Sequence, residues 1–277
     1  MTGASTASSS RNSPKTKTTL DSIPDPEVAN YRHTEGICLR RLDYSNTSQI
    51  ATFLTPDFGQ LPGIAKGIRR APKQGISTGL DLVARYDLVY VPNRRSSLHT
   101  LTENELLEYF PGLNASVERT LCAFYAAELA LDFTVEHEPC PRLYGFFLHS
   151  LRRFETGRFL GLSVLLLELA VLQHQGACPT FERCAECHSR LSLRERVLFS
   201  PRHGGALCGP CGRSIEPEAH SQPITVSPER LLLLSALSEP LSIDPASIDA
   251  DPHQIVAASR VLRLHMRYTL GKRLRMW

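Results

Sequence analysis

Cys184 and Cys187 are two residues apart, and after an interval of 20 residues Cys208 and Cys211 repeat the same gap. This spacing limits the fold more than any other feature, because a two-residue gap in a tight turn lets both sulfurs converge on one metal at about 2.3 Å, and two such turns complete a tetrahedron. Gly204, Gly205, Gly209 and Gly212 give the chain turn freedom around the second pair. Four cysteines close the coordination sphere, leaving no position for water or substrate, so the pattern predicts a structural zinc site. A zinc deaminase would need a His-x-Glu element and a proline ahead of the cysteine pair. Arg183 and Leu207 stand there instead, and the His-x-Glu at His33 to Glu35 lies far upstream. Cys178, five residues before Cys184 and followed by Pro179, is a poorer ligand, and Cys38, Cys122 and Cys140 read as small core or surface residues.

A chain of 277 residues with 42% hydrophobic and 21% charged side chains has room for two modest domains. The apolar run Leu160 to Leu167 is broken by Glu168, far short of the roughly 20 residues that span a bilayer, so no transmembrane segment and no membrane partner are expected. The first 20 residues hold ten Ser or Thr, three basic residues and almost nothing apolar, which reads as a disordered tail over residues 1–33. A transit peptide has a similar composition, but a convincing amphipathic Arg-rich helix is lacking. With no secretory core in that tail, the cysteines are read as reduced and the location as cytoplasmic.

From Gly36 to Leu101 short β-prone runs alternate with turn signals: Ile37 to Leu42, Gln49 to Leu54, Leu61 to Ile68, Leu82 to Val91 and Ser97 to Leu101. Five short strands predict a small barrel, and their spacing fits an OB-fold or an SH3-like barrel equally. After Pro111 and Gly112 the apolar period becomes helical. Phe159 to Leu172 is apolar on almost every face, as in a helix surrounded by others. Further helix starts are marked by Ser227 with Pro228 and by Asp251 with Pro252. On the last helix Ile255, Ala258, Leu262, Met266 and Leu270 share one arc, and Arg260, Arg263 and Arg267 a separate basic arc.

The net charge of +3 conceals segregation: residues 36–100 carry nine basic and four acidic side chains, 101–177 five and ten, and 260–277 six and none. Basic blocks of this kind attract polyanions that the whole-chain charge would not. The candidates for phosphate contact are Arg40 in the first strand, Lys66, Arg69, Arg70 and Lys73 after the third, Arg94 and Arg95 in another barrel loop, and Arg260, Arg263, Arg267, Lys272 and Arg273 at the C-terminus. The alternative is a solvated charge cluster. Tyr86 and Tyr90 suit base stacking or core packing equally. Arg152 and Arg153, beside Phe154 and near Phe146 and Phe147, place charge next to apolar surface and are candidates for a partner's acidic tail. No phosphate-binding glycine loop and no nucleophile elbow is present, and nothing argues for an enzyme.

A basic β-barrel, a helical domain and a four-cysteine insert in that order resemble the RecO family of recombination mediators. The resemblance rests on Thr34 to Ile37, Thr55 and Gly59, Lys66 and Gly67, Pro111 and Gly112, Glu128 and Leu129, the Arg158-to-Leu172 helix, Gly176, the four cysteines, and Gly204 and Gly205. It implies an α+β protein: an N-terminal five-stranded OB-fold barrel over residues 34–104, then an α-helical domain over 105–277 with a zinc-binding insert at 178–215. It also implies binding of single- and double-stranded DNA, annealing of complementary strands, contact with RecR, and capture of the C-terminal tail of single-strand-binding protein (SSB) so that RecA is loaded. The chain departs from the family pattern in its N-terminal extension and in Ala71 and Pro72, which interrupt the basic loop. The rival reading is a zinc-ribbon transcription or translation factor that uses the insert itself for recognition.

Overall fold

The computed structural model describes Met1 and residues 30–69, 79–192, 194–215 and 222–271. From Tyr31 onward the chain forms one compact unit.

Five strands come first: β1 (Arg32–Asp43), β2 (Gln49–Thr55), β3 (Gly59–Ala65), β4 (Arg85–Val91) and β5 (His99–Glu108). They close a barrel in the order β1-β2-β3-β5-β4, with β4 returning to β1 and with β3 parallel to β5. This is the topology of the OB-fold, which settles what strand spacing left open. β1 is long enough to serve two neighbours. Arg32 to Ile37 pair with β4 and Ile37 to Asp43 with β2, and the register slips between Cys38 and Arg40, where the strand turns the corner of the barrel. β3 and β4 alternate strictly between buried and part-exposed residues, as a strand with one face on a core must. Phe53, Leu61, Leu80, Leu88 and Tyr90 fill the interior, and Tyr86 and Tyr90 are both buried there. β3 ends at Ala65, and residues 66–69 form a turn rather than the expected continuation to Ile68.

A 3-10 turn at Pro111–Ala115 leads into α1 (Val117–Phe133), α2 (Pro141–Thr156) and α3 (Leu160–His174). The Ser116 hydroxyl accepts from the Arg119 N–H and caps α1. α3 is central: every residue from Leu162 to Leu172 is buried, and α1, α2 and α6 (Pro252–Leu270) pack around it. α5 (Pro228–Ala236) and α6 start at the expected prolines. The Ser227 and Asp251 side chains accept no cap bond; at Asp251 the backbone carbonyl instead receives the N–H groups of Gln254 and Ile255. Among the described residues no helix is long and apolar enough to cross a membrane.

The cysteine-rich segment folds as a three-stranded antiparallel sheet of β6 (Val197–Ser200), β7 (Gly205–Leu207) and β8 (Ile224–Val226), in the order β7-β6-β8, with a short helix α4 (Gly209–Ser214). Its apolar side joins the helical core. Phe199 of β6 stacks on Phe181 at 6.1 Å between ring centroids and meets His265 of α6 edge-on.

Barrel and helices are stitched together by backbone. The Gln60 side-chain amide donates to the carbonyls of Leu131 (2.9 Å) and Thr134 (2.6 Å), and its N–H donates to Val135. The His137 and Cys140 N–H groups donate to Phe58 and Pro56. Gly59 sits under this seam at φ +64°, where a Cβ would run into the carbonyl oxygens of Val135 and Glu138.

Candidate metal centre and nucleic-acid interface

Two backbone knuckles bring the four cysteines together. In the first, the His188 N–H donates to the Cys184 carbonyl and the Cys184 N–H to Ser189, with His188 at φ 58° to close the turn. In the second, the Gly212 N–H donates to the Cys208 carbonyl as α4 begins. The knuckles face each other, and the Cys208 N–H donates to the Cys184 sulfur at 3.3 Å. All four sulfurs lie within 4.8 Å of one another, and Cys187 and Cys208 are 3.7 Å apart. Sulfurs bound to one tetrahedral zinc at about 2.3 Å would stand about 3.8 Å apart, so the spacing suits such an ion.

The protonation pattern argues the same way. Hydrogen bonds from Ser189 lower the Cys187 thiol to about 6. At Cys184 burial opposes ionisation, but the N–H groups of Cys187, Cys208 and Glu186 outweigh it and lower the pKa. Hydrogen bonding to the sulfurs of Cys208 and Cys187 pushes Cys211 up to about 12. Four sulfurs this close cannot all be thiolates without a cation among them, and a divalent soft-ligand metal supplies that charge. His203 lies at the edge of this module, bonded to the Ser200 hydroxyl at 2.8 Å and facing Glu186 at 3.7 Å.

The described candidates for phosphate contact in the barrel come from three places: the turn after β3, the β4–β5 loop and the middle of β1. Register puts the end of β1, the start of β2 and the end of β3 at one end of the barrel, through Asp43 opposite Gln49 and Gln49 opposite Ala65. Lys66 and Arg69 follow there, both exposed. Arg69 is tied to Asp43 at 2.7 Å. Arg94 and Arg95 lie in the exposed β4–β5 loop, between the end of β4, where Tyr90 pairs with Arg32 at the start of β1, and the start of β5, where His99 pairs with Gly63 of β3. Arg40 is exposed midway along β1 and borders a groove against α1 together with Glu128 and Asp132. Arg70, Lys73, Lys272 and Arg273 lie outside the described residues.

On α6 the three arginines part company. Arg260 and Arg267 are exposed, but Arg263 turns inward. Its Nε donates to the Glu168 carboxylate at 2.7 Å, and its guanidinium lies 5.2 Å from the Tyr125 ring centroid. Glu168 is fully buried in α3 and also accepts the Tyr125 hydroxyl at 2.8 Å. Burial pushes its carboxyl above the ordinary value, and the Arg263 charge opposes that shift. The sequence expectation placed Arg263 among the phosphate contacts; the structure uses it as a brace between α3 and α6. A single acid inside an otherwise apolar helix was the signal for such a partner.

Arg152 is also engaged. It makes a two-pronged bond to Glu108 of β5, at 2.8 and 2.7 Å, and the Arg152 hydrogen bond is the main reason that the Glu108 carboxyl is held below its usual value. Phe146, Phe147 and Phe154 are buried in the core, and one terminal nitrogen of Arg153 is buried without a hydrogen-bond partner. The pair expected to greet an acidic tail therefore has one member already committed to an internal acid.

Comparison with known proteins follows the same division. Residues 115–277 match the family described as Recombination protein O C terminal, and residues 30–110 match Recombination protein O N terminal. The DNA repair protein RecO of Myxococcus xanthus is 29% identical over 241 residues, which is 87% of this chain and 93% of the relative. Its counterpart in Rhodopirellula baltica is 30% identical over 217 residues, 78% of each chain. That of Syntrophus aciditrophicus is 30% identical over 178 residues, 64% of this chain and 68% of the relative.

Proposed function

Because this chain belongs to the recombination protein O family of DNA repair proteins, we propose that it binds single- and double-stranded DNA and anneals complementary strands. With RecR as partner, it would also help RecA load on strands coated by SSB. The observation that carries this reading is an OB barrel whose Lys66, Arg94 and Arg95 have no acid partner among the described residues, fused to a helical layer with exposed Arg260 and Arg267. Such side chains neutralise phosphates without reading bases, so sequence preference is slight and the bases stay open to a second strand. No nucleotide hydrolysis is required, since pairing itself drives the reaction. Arg263, Arg152 and Arg69, already facing acids, contribute less than their neighbours.

The metal in this proposal is zinc, held by Cys184, Cys187, Cys208 and Cys211. When bound it supplies a cross-link that fixes the two knuckles against the helical core; a site closed by four thiolates does no chemistry on a substrate.

The test combines zinc analysis with annealing of two labelled complementary oligonucleotides. Lys66→Ala should lower the salt slope of single-strand binding by about 0.7, the value for one lost phosphate contact, and Arg69→Ala by less. Replacing Lys66, Arg69, Arg70 and Lys73 together should flatten it markedly. A simple zinc-ribbon factor would bind nucleic acid through the insert and leave the annealing rate unchanged; that result would replace this reading with the rival.

A further inference from the structure

β8, α5 and α6 enclose a hollow of about 460 Å³, within the range of small-ligand sites. Its floor is apolar, built from Ala257, Val261 and Leu264. Its walls are arginine: Arg230 from α5 and Arg260 and Arg267 from α6, none with an acid partner among the described residues. The fourth, Arg263, is the one bonded to Glu168. Among the described residues no acid lines the hollow. The Arg230 Nε is buried without a hydrogen-bond partner, a donor in need of an acceptor.

An apolar floor ringed by guanidinium groups calls for a ligand with a flat, weakly polar body flanked by negative charge. A phosphate ion alone would leave the floor wet, and an apolar molecule alone would leave the cations unmatched. A nucleotide within a strand supplies both. Arg260 and Arg267 are seven residues apart on one helix, about 10.5 Å along its axis. That is about three phosphate steps of a stacked strand. A strand whose backbone crosses both arginines has about three nucleotides between them, the middle one over the hollow.

We infer that this hollow is a subsite for one unpaired base of a single strand, with two phosphates about three steps apart, one on each side of that base, held by Arg260 and Arg267. The inference rests on the DNA-binding reading above and gives it a direction. A base inside a duplex is stacked and paired, so it reaches such a pocket only by being pulled out. The subsite thus holds a strand while it is single and lets go of the base once a complement pairs with it.

The full chain is titrated with a labelled single-stranded oligonucleotide and with the same strand carrying abasic residues. The intact strand should bind at least about fivefold more tightly, the low end for burying one base on a protein surface. Ala257→Phe, which fills the hollow, should bring that ratio close to one and leave abasic-strand and duplex affinity unchanged. The exposed pair Arg260→Ala with Arg267→Ala removes no packed side chain; it should lower the salt slope by about 1.4 and also reduce the ratio. Equal binding of both strands by the native protein, or a ratio that survives both variants, overturns the subsite and leaves DNA binding standing. No strand binding at all in dilute buffer overturns both. A labelled peptide of alternating Asp and Leu that binds the native protein but not Ala257→Phe, with strand binding indifferent to that change, would make the hollow a peptide site and overturn the inference.

Discussion

Replacing Arg263 by Met separates two jobs that one basic side chain on α6 could do. Glu168 is fully buried and has one cation against it, the Arg263 guanidinium at 2.7 Å, with the Tyr125 hydroxyl at 2.8 Å as a second contact. Methionine keeps most of the arginine stem's packing but leaves a buried carboxyl without its counter-charge. Breaking a buried pair from one side destabilises by about 3–5 kcal/mol; with the Tyr125 bond retained, the low end of about 3 kcal/mol applies. In a unit of this size that lowers the thermal midpoint by roughly 6–12 °C. Removing both charges, as Glu168→Met with Arg263→Met, should recover stability to within about 1 kcal/mol of the native protein, because desolvation of the pair offsets much of its attraction. Urea titration of the native protein, both single variants and the double variant gives the coupling between the two sites. The salt slope of single-strand binding, measured on folded Arg263→Met, should match the native value, since the guanidinium faces an acid and not a phosphate. A single variant within about 1 kcal/mol of native, or one whose slope falls by about 0.7, would refute the brace and return Arg263 to the DNA surface.

Ala at position 59 must adopt φ +64° and push its Cβ to 2.6 Å from the Glu138 carbonyl oxygen. A loss of at least about 1–2 kcal/mol by urea titration is expected, and a shift under about 0.5 kcal/mol would contradict the tight seam. His265 is 5% exposed, donates from Nε2 to the Ala177 carbonyl at 2.8 Å, and is held below its usual pKa by burial. A histidine lowered in the folded state adds stability that is full above the unfolded pKa of about 6.5 and is lost as pH falls below it, at up to about 1.4 kcal/mol per pH unit. Stability should therefore fall more steeply between pH 6.5 and 5 in the native protein than in His265→Gln; parallel profiles would dismiss the histidine. Chelation of the metal, or Cys184→Ser, should release one zinc per chain and lower the thermal midpoint, because the site shares the helical core; a metal content near zero in reduced native protein would refute the cluster.

Much of the barrel could be read from the chain because β3 and β4 alternate residue by residue, which is what a half-buried strand looks like in sequence. β5 was truncated at Leu101 because Glu103 to Glu108 pairs only with β4 and exposes Leu106 and Leu107, so no alternation marks it. The cysteine geometry followed from spacing alone, since local knuckles need no long-range information. The basic residues were harder. Sequence alone assigns Lys66 and Arg94 to different loops, but only register reveals that the strand ends those loops leave and enter, Ala65 of β3 and His99 of β5, belong to neighbouring strands. Helical arc grouped Arg263 with Arg260 and Arg267, and nothing on α6 itself discloses the acid waiting on α3. The lone acid in apolar α3 signals that a partner is needed, but only packing decides which basic residue it is.

The seam between the β2–β3 turn and the α1–α2 connection has a mechanical consequence. Gln60, His137 and Cys140 join the two layers through main-chain bonds, with Gly59 leaving no slack beneath them. On the proposed reading, a polymer gripped at the barrel and again at α6 would be held by a stiff jig, and the motion that finds a matching partner would have to come from the nucleic acid's own slack between the grips.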